Sequence, residues 1–205
     1  MASIQVDSQF NDKQKAAIEK ATQEAQNILA NNDSAKDAQP HLLVKVAGAM
    51  KNSQHRPIRL MKTHDAKGKF VTNPPGTIGG EASGAFVHEG ATSQGQLPVV
   101  VGSKCALIYG TFDKSFPALG YLLAWDMPEI SLGSELKVFV LAGDPYKLEK
   151  MEWSEIERRL NASGNKSTSI DHEIGAIATA EIKHTHNTNM RSLVAASFDR
   201  FEPKA

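Results

Sequence analysis

The sequence predicts an α+β domain, mainly β: an antiparallel β-sandwich flanked by helices, with two helices at its N-terminus. Three observations predict it. Apolar residues recur at helical spacing before residue 55. From residue 56 onward, short apolar runs alternate with turn residues at the spacing of a sandwich or barrel. A single amphipathic stretch, opened by Asp144-Pro145, interrupts the later strands. The expected division is a helical extension over 1–55, packed on a sandwich domain over 56–205.

In chain order, Asn11 with Gln14 reads as a capping box that starts a first helix. Its stripe is Ile18, Ala21, Ala25, Ile28 and Leu29. This stripe is thin and alanine-rich, too weak for a membrane surface, so the helix is expected to lie on the sandwich. Pro40 opens a second short helix with Leu42, Leu43, Val46, Ala49 and Met50 on one face. Ile58–Met61 is the first strand, 63–68 a turn and Lys69–Thr72 the return. Asn73-Pro-Pro-Gly76 and Gly79-Gly80 mark a loop. Strands follow over 84–88, 97–102, 104–109, 119–125 and 135–141. The helix after Pro145 carries Leu148, Met151, Trp153, Ile156 and Leu160. A polar loop spans 161–169, and two strands close the chain over 173–184 and 190–198, joined by a turn near Asn187. The expected core is Phe86, Val99, Val101, Leu107, Leu123, Val138, Val140, Ile177, Ile182, Leu193 and Phe198.

The 205 residues suffice for a core without staples. Lysine plus arginine equals aspartate plus glutamate at 23 each. A neutral chain has no global field to hold a polyanion, so no nucleic-acid partner is expected. The single cysteine, Cys105, lies in an apolar run and reads as a buried strand residue. No signal peptide or long apolar span is read, and a cytoplasmic location is the expectation.

Ser83-Gly-Ala-Phe-Val-His-Glu-Gly90, Leu122-Leu-Ala-Trp-Asp-Met-Pro128, Ser169-Ile-Asp-His-Glu-Ile-Gly175 and Asn189-Met-Arg191 together resemble the plant 23-kDa jasmonate-induced protein family over roughly residues 80–201. More remotely, the skeleton resembles the actinoporin-like β-sandwich. The first resemblance implies a stress or defence protein of plants that binds a ligand or partner without catalysing a reaction. The second implies the fold and, by its mismatches, argues against pore formation. After Pro128 stands Glu129-Ile-Ser-Leu-Gly-Ser134 where an actinoporin carries interfacial aromatics. Glu152, Glu157, Arg158 and Arg159 stand where its headgroup site needs tyrosines.

Candidate site residues fall into three groups. His184 and His186 share a strand face and could chelate zinc or copper with a third ligand. His88 with Glu89, and His172 with Glu173, are the acid/base candidates of an alternative reading, an enzyme of plant specialised metabolism acting as cyclase, isomerase or hydrolase from a pocket of the sandwich. Trp125 and Asp126 are the candidate ligand platform of a second alternative, a carbohydrate-binding module. The glycine-rich 73–80 stretch lacks the lysine of a phosphate loop, and no sequence motif names a cofactor. Partners left open are a small molecule, a glycan or a protein.

Overall fold

The computed structural model describes residues 2–34, 44–90, 92–93, 99–100, 102–111, 117–128, 135–185 and 188–202, with side chains left undescribed at 2–11, 33–34, 92–93, 99–100 and 188–189. In chain order the elements are α1 (Ala2–Ser34), β1 (Lys45–Asn52), β2 (Ile58–Lys67), β3 (Lys69–Thr72), β4 (Thr77–Ile78), β5 (Ser83–Glu89), β6 (Thr92–Ser93), β7 (Val99–Val100), β8 (Ser103–Gly110), β9 (Gly120–Met127) and β10 (Lys137–Gly143). Then come α2 (Pro145–Glu149), α3 (Trp153–Asn161), β11 (Lys166–Asp171), β12 (Ala176–Thr185) and β13 (Thr188–Arg200).

Six strands form one sheet in the order β11-β12-β13-β1-β5-β3. Five form the other in the order β10-β9-β8-β2-β4, and β6 pairs with β7. The expected sandwich is present. Among the described residues its strand pairs are antiparallel except one: β1 runs parallel to β13, from Lys45 opposite Arg191 to Asn52 opposite Phe198. Parallel neighbours need a long crossover, and here everything between β1 and β13 serves as that crossover.

Strand alternation builds the layers. Val46 and Met50 of β1, Phe86 of β5, Leu107 and Tyr109 of β8, Leu123 and Trp125 of β9, Val138 and Val140 of β10, and Ile182 and Phe198 of β12 and β13 meet between the sheets. Ala47, Ala49, Val87, Leu193 and Ala195 face outward from the six-stranded sheet and lie under Ala21, Ala25 and Leu29 of α1. Ala106, Ile108, Leu122 and Ala124 face outward from the other sheet under Leu148, Ile156 and Leu160 of α2 and α3. The small side chains on both sides of the α1 interface let helix and sheet approach closely. The thin alanine stripe of α1 packs on the six-stranded sheet.

Several sequence expectations change. The second helix is a strand where it is described; Pro40, Leu42 and Leu43 lie outside the described residues. Residues 45–52 form β1 at the centre of the larger sheet, and the face drawn from Val46, Ala49 and Met50 divides between its two sides. A strand covered on both faces reads as a continuous apolar run, which periodicity cannot separate from a helix. Asn11 is an interior residue of α1, not its cap. The turn placed at 63–68 is mostly strand. β2 continues to Lys67 and the chain turns at Gly68, whose φ of +100° suits glycine.

Part of the polar loop is β11. Its Ser167 and Ser169 hydroxyls accept the backbone N–H groups of Val140 and Ala142 at 3.1 Å each, joining the β10 edge of one sheet to the other. Bridged in this way, the β10 edge does not offer a free ladder for aggregation. The Asp144 side chain caps α2 through the N–H groups of Tyr146 and Lys147, as its sequence announces, but the single expected helix breaks into α2 and α3. Of the expected core, Ile177 and Leu193 are buried outside the intersheet cluster. The side chains of Val99 and Val101 lie outside the described residues.

Candidate functional site

Two polar constellations sit toward opposite ends of β1. The first is a pocket of about 190 Å³ where the C-terminal ends of β1 and β13 meet α1. Lys13, Gln54, Arg56, Asp199, Arg200 and Phe201 are among the residues that line it. Chain ends far apart in sequence meet here because β1 and β13 run parallel. Asp199 is buried and ties α1 to the sheet. It accepts Lys13 Nζ at 2.7 Å and Gln14 Nε2 at 3.4 Å.

Hydrogen-bond direction fixes the amides around this pocket. Tyr121 donates its hydroxyl to the Asp199 carbonyl at 2.8 Å, which leaves its oxygen free to accept. Gln54 therefore presents Nε2 to Tyr121, at 3.2 Å, and its Oε1 is the atom left over. Gln14 likewise donates Nε2 to the Asp199 carboxylate. Gln54 Oε1 and Gln14 Oε1 are both buried acceptors without a hydrogen-bond partner among the described residues. Each such group costs about 1–3 kcal/mol while unmet. One of the two, Gln54 Oε1, belongs to a residue that lines the pocket.

Asp199→Ala is expected to loosen α1 from the sheet. It removes a charged acceptor from two α1 side chains, at a cost of about 2 kcal/mol, and amide exchange across residues 12–32 should accelerate. Unchanged protection there would mean that the alanine stripe alone holds the helix.

The second constellation surrounds His88. Its imidazole is fully buried, sits edge-on to Phe70 and Trp125, and contacts Ser103 Oγ through Nδ1 at 2.8 Å. The same oxygen accepts the indole N–H of Trp125 at 2.9 Å. Nε2 has no hydrogen-bond partner among the described residues; Asp65 Oδ1 stands 3.9 Å away. Burial holds the imidazole far below its usual range, at about 4, against the weaker pull of Asp65, so the ring is neutral at pH 7. Cys105 Sγ donates to Asp65 Oδ1 at 3.2 Å, and burial followed by that carboxylate pushes its thiol up. Ser103, His88 and Asp65 have the composition of a nucleophilic triad, but Ser103 is fully buried with its oxygen occupied by Trp125. No substrate carbonyl can reach it.

The sequence candidates disperse. Glu89 points away from His88 toward Lys45, 4.0 Å distant, as adjacent strand residues must. His172 and Glu173 lie in the exposed turn between β11 and β12, where Asp171 accepts the Glu173 N–H at 2.9 Å. They make no pair with His88, so the proposed acid/base residues do not converge. His184 is exposed on β12 and contacts Ser192 Oγ at 3.2 Å, while His186 lies outside the described residues. Trp125 is fully buried and stacked on Phe86, so it offers no ring face to a sugar. Asp126 is paired with Lys104 at 2.8 Å. Sequence reading missed Asp65, Gln14, Gln54 and Asp199. Of the two clusters, the sequence singles out only His88, as an acid/base candidate, and Cys105, as a buried strand residue.

The two sheets, the helix on each outer face and the intersheet aromatic core define an actinoporin-like β-sandwich. A solved structure similar to this chain is that of the lipid-binding protein Nakanori. It is 18% identical, covers 87% of this chain and 80% of its own, and superposes with a TM-score of 0.66. These comparisons support the actinoporin-like part of the sequence resemblance and not the jasmonate-induced part. No protein-family model matches the chain, and no curated protein does. Among the described residues no helix is long and apolar enough to cross a membrane.

Proposed function

We propose that this chain is a non-enzymatic binding protein that holds a small donor-bearing polar headgroup in the pocket between α1, β1 and β13. The observation that carries this reading is the buried amide oxygen Gln54 Oε1, left without a hydrogen-bond partner among the described residues on the lining of a cavity that also holds Asp199. An ammonium or hydroxyl group answers that deficit. Arg56 and Arg200 on the lining suit an attached phosphate, and Phe201 suits the ammonium. About 190 Å³ is below the usual volume of a site for a whole drug-sized ligand, so the occupant is a headgroup-sized fragment. The fold shared with a lipid-binding protein is consistent with a phospholipid as the source.

Phosphoethanolamine and phosphocholine separate this reading from its rivals, because only the former carries N–H donors. In calorimetric titrations the protein is expected to bind phosphoethanolamine in preference. Gln54→Leu should weaken that binding by about 10-fold or more, the worth of a hydrogen bond to a charged group. Equal affinity for both headgroups, or no effect of the substitution, sinks the proposal. Flotation with phosphatidylethanolamine vesicles then distinguishes a membrane lipid from a free headgroup.

Binding without piercing is supported by α1, whose apolar stripe is already buried on the sheet. The segment resemblance to jasmonate-induced proteins supports a stress-responsive plant protein of the cytoplasm. A transcript indifferent to jasmonate in the source tissue would remove that part of the reading.

A further inference from the structure

The Asp65, His88 and Cys105 cluster lies apart from the headgroup pocket and is not used by it. Three donor atoms of different chemistry converge there from β2, β5 and β8: a carboxylate oxygen, an imidazole nitrogen and a sulfur, all within 4.8 Å of one another. We infer that these three residues form a zinc site.

Four features carry the inference. First, His88 Nε2 is buried beside the other two donors and has no hydrogen-bond partner among the described residues, on a side chain with no solvent exposure. A buried ring nitrogen left unmet is costly, and a metal ion is a partner that satisfies it. Second, the other ring nitrogen is held. Ser103 Oγ lies 2.8 Å from Nδ1 and is itself anchored by the Trp125 indole. A hydroxyl oxygen can accept both N–H groups, which puts the Nε2 lone pair toward Asp65 and Cys105. Orienting a ligand histidine through its second nitrogen is what metal sites require.

Third, the three donor atoms lie close enough for one ion to reach after a small side-chain movement. With bonds of about 2.0–2.3 Å, zinc donors stand roughly 3.3–3.6 Å apart. Sγ and Oδ1 are 3.2 Å apart, and Nε2 and Oδ1 are 3.9 Å apart. Asp65 is half exposed at the end of β2, so its side chain can close the remaining gap and leave a fourth position open to water. Fourth, the charges balance. Zinc binding forms a Zn–S bond, breaks the Cys105 S–H bond and releases that proton to solvent. A thiolate and a carboxylate then neutralise the dication beside an apolar core. The sulfur selects zinc over magnesium or calcium.

Gly68 completes the enclosure. A Cβ there would stand 2.5 Å from His88 Cε1 and 2.4 Å from the Glu89 carbonyl oxygen, so only glycine lets the chain turn tightly against the imidazole.

The test is titration of the metal-stripped full chain with cobalt as a spectroscopic stand-in, followed by competition with zinc. One equivalent should bind with a thiolate-to-cobalt charge-transfer band, and zinc should displace it. Cys105→Ser should abolish the band. Asp65→Asn, at a half-exposed strand end where folding is not at risk, should retain the band and weaken affinity at least about 10-fold. Circular dichroism verifies that each variant is folded. Absence of any band at millimolar cobalt overturns the site. So does stoichiometric binding that survives in both variants, which would place the metal elsewhere, at His184 for example. Because the headgroup titration uses the opposite end of β1, failure of one proposal leaves the other standing.

Discussion

Trp125→Ala is expected to cost about 4 kcal/mol, the upper range for deleting a buried aromatic. The indole belongs to β9 of one sheet and packs into β3 and β5 of the other. It stacks on Phe86 at 4.9 Å and 23°, and meets Phe70 and His88 edge-on at 6.3 and 5.5 Å. Its N–H reaches Ser103. Truncation therefore opens a cavity between the sheets and strips the donor from a buried hydroxyl at once. For a chain of this size the melting temperature should fall by roughly 8–16 °C. Trp125→Phe keeps most of the apolar contact and loses only the N–H, so it should cost about 1–2 kcal/mol. Thermal unfolding followed by circular dichroism measures both. An alanine variant melting within a few degrees of the wild type would show that the aromatic cluster does not hold the sheets together.

That cluster also explains how far the sequence could be read. β8 and β9 were legible because their two faces meet different partners. Leu107 and Leu123 enter the intersheet core, whereas Ala106 and Ala124 face α2 and α3. Both faces are apolar, so the strands appear as short runs bounded by turns, and length alone separates them from helices. β1 defeated that criterion. Its apolar run adjoins Leu42 and Leu43, and the combined stretch is long enough to imitate a helix turn by turn. β11 failed for the opposite reason. Ser167, Thr168 and Ser169 carry no apolar alternation, and its role is to donate side-chain acceptors to the β10 edge.

The sites were less legible than the fold. His88 was singled out for its neighbour Glu89, yet strand geometry sends the two apart. Its real companions come from other strands. Asp65 sits in a stretch that reads as a turn, because Thr63-His-Asp-Ala-Lys67 has little apolar content to reveal its pairing with β8. Cys105 was read as core, which is correct for its burial and silent about its partner. The pocket joins Lys13 to Asp199, and no local spacing encodes a contact between the two ends of a chain. The pocket depends on the parallel pairing of β1 with β13, a strand relation that a pattern of short antiparallel runs does not announce.

Gly48→Ala is the second large effect expected. Gly48 is the cross-strand partner of Phe86 in the β1–β5 ladder. The phenyl ring folds back over it: a Cβ at position 48 would stand 2.0 Å from Cζ, 2.3 Å from Cε1 and 2.6 Å from Cε2. An aromatic ring laid over a cross-strand glycine covers the bare backbone that the missing side chain exposes. Here the ring has no room to withdraw, because its other face is stacked on Trp125. A single added methyl must displace Phe86, and Phe86 must displace Trp125. Overpacking of this kind costs about 3 kcal/mol, and the loss should appear as a lower midpoint in urea with an unchanged slope. The double variant Gly48→Ala, Phe86→Leu tests the cause. Leucine is smaller and vacates the space above position 48, so the two changes together should cost less than the sum of each alone by about 1–2 kcal/mol, as expected for residues in direct contact. Strict additivity would mean that the backbone at Gly48, and not the ring above it, demands glycine.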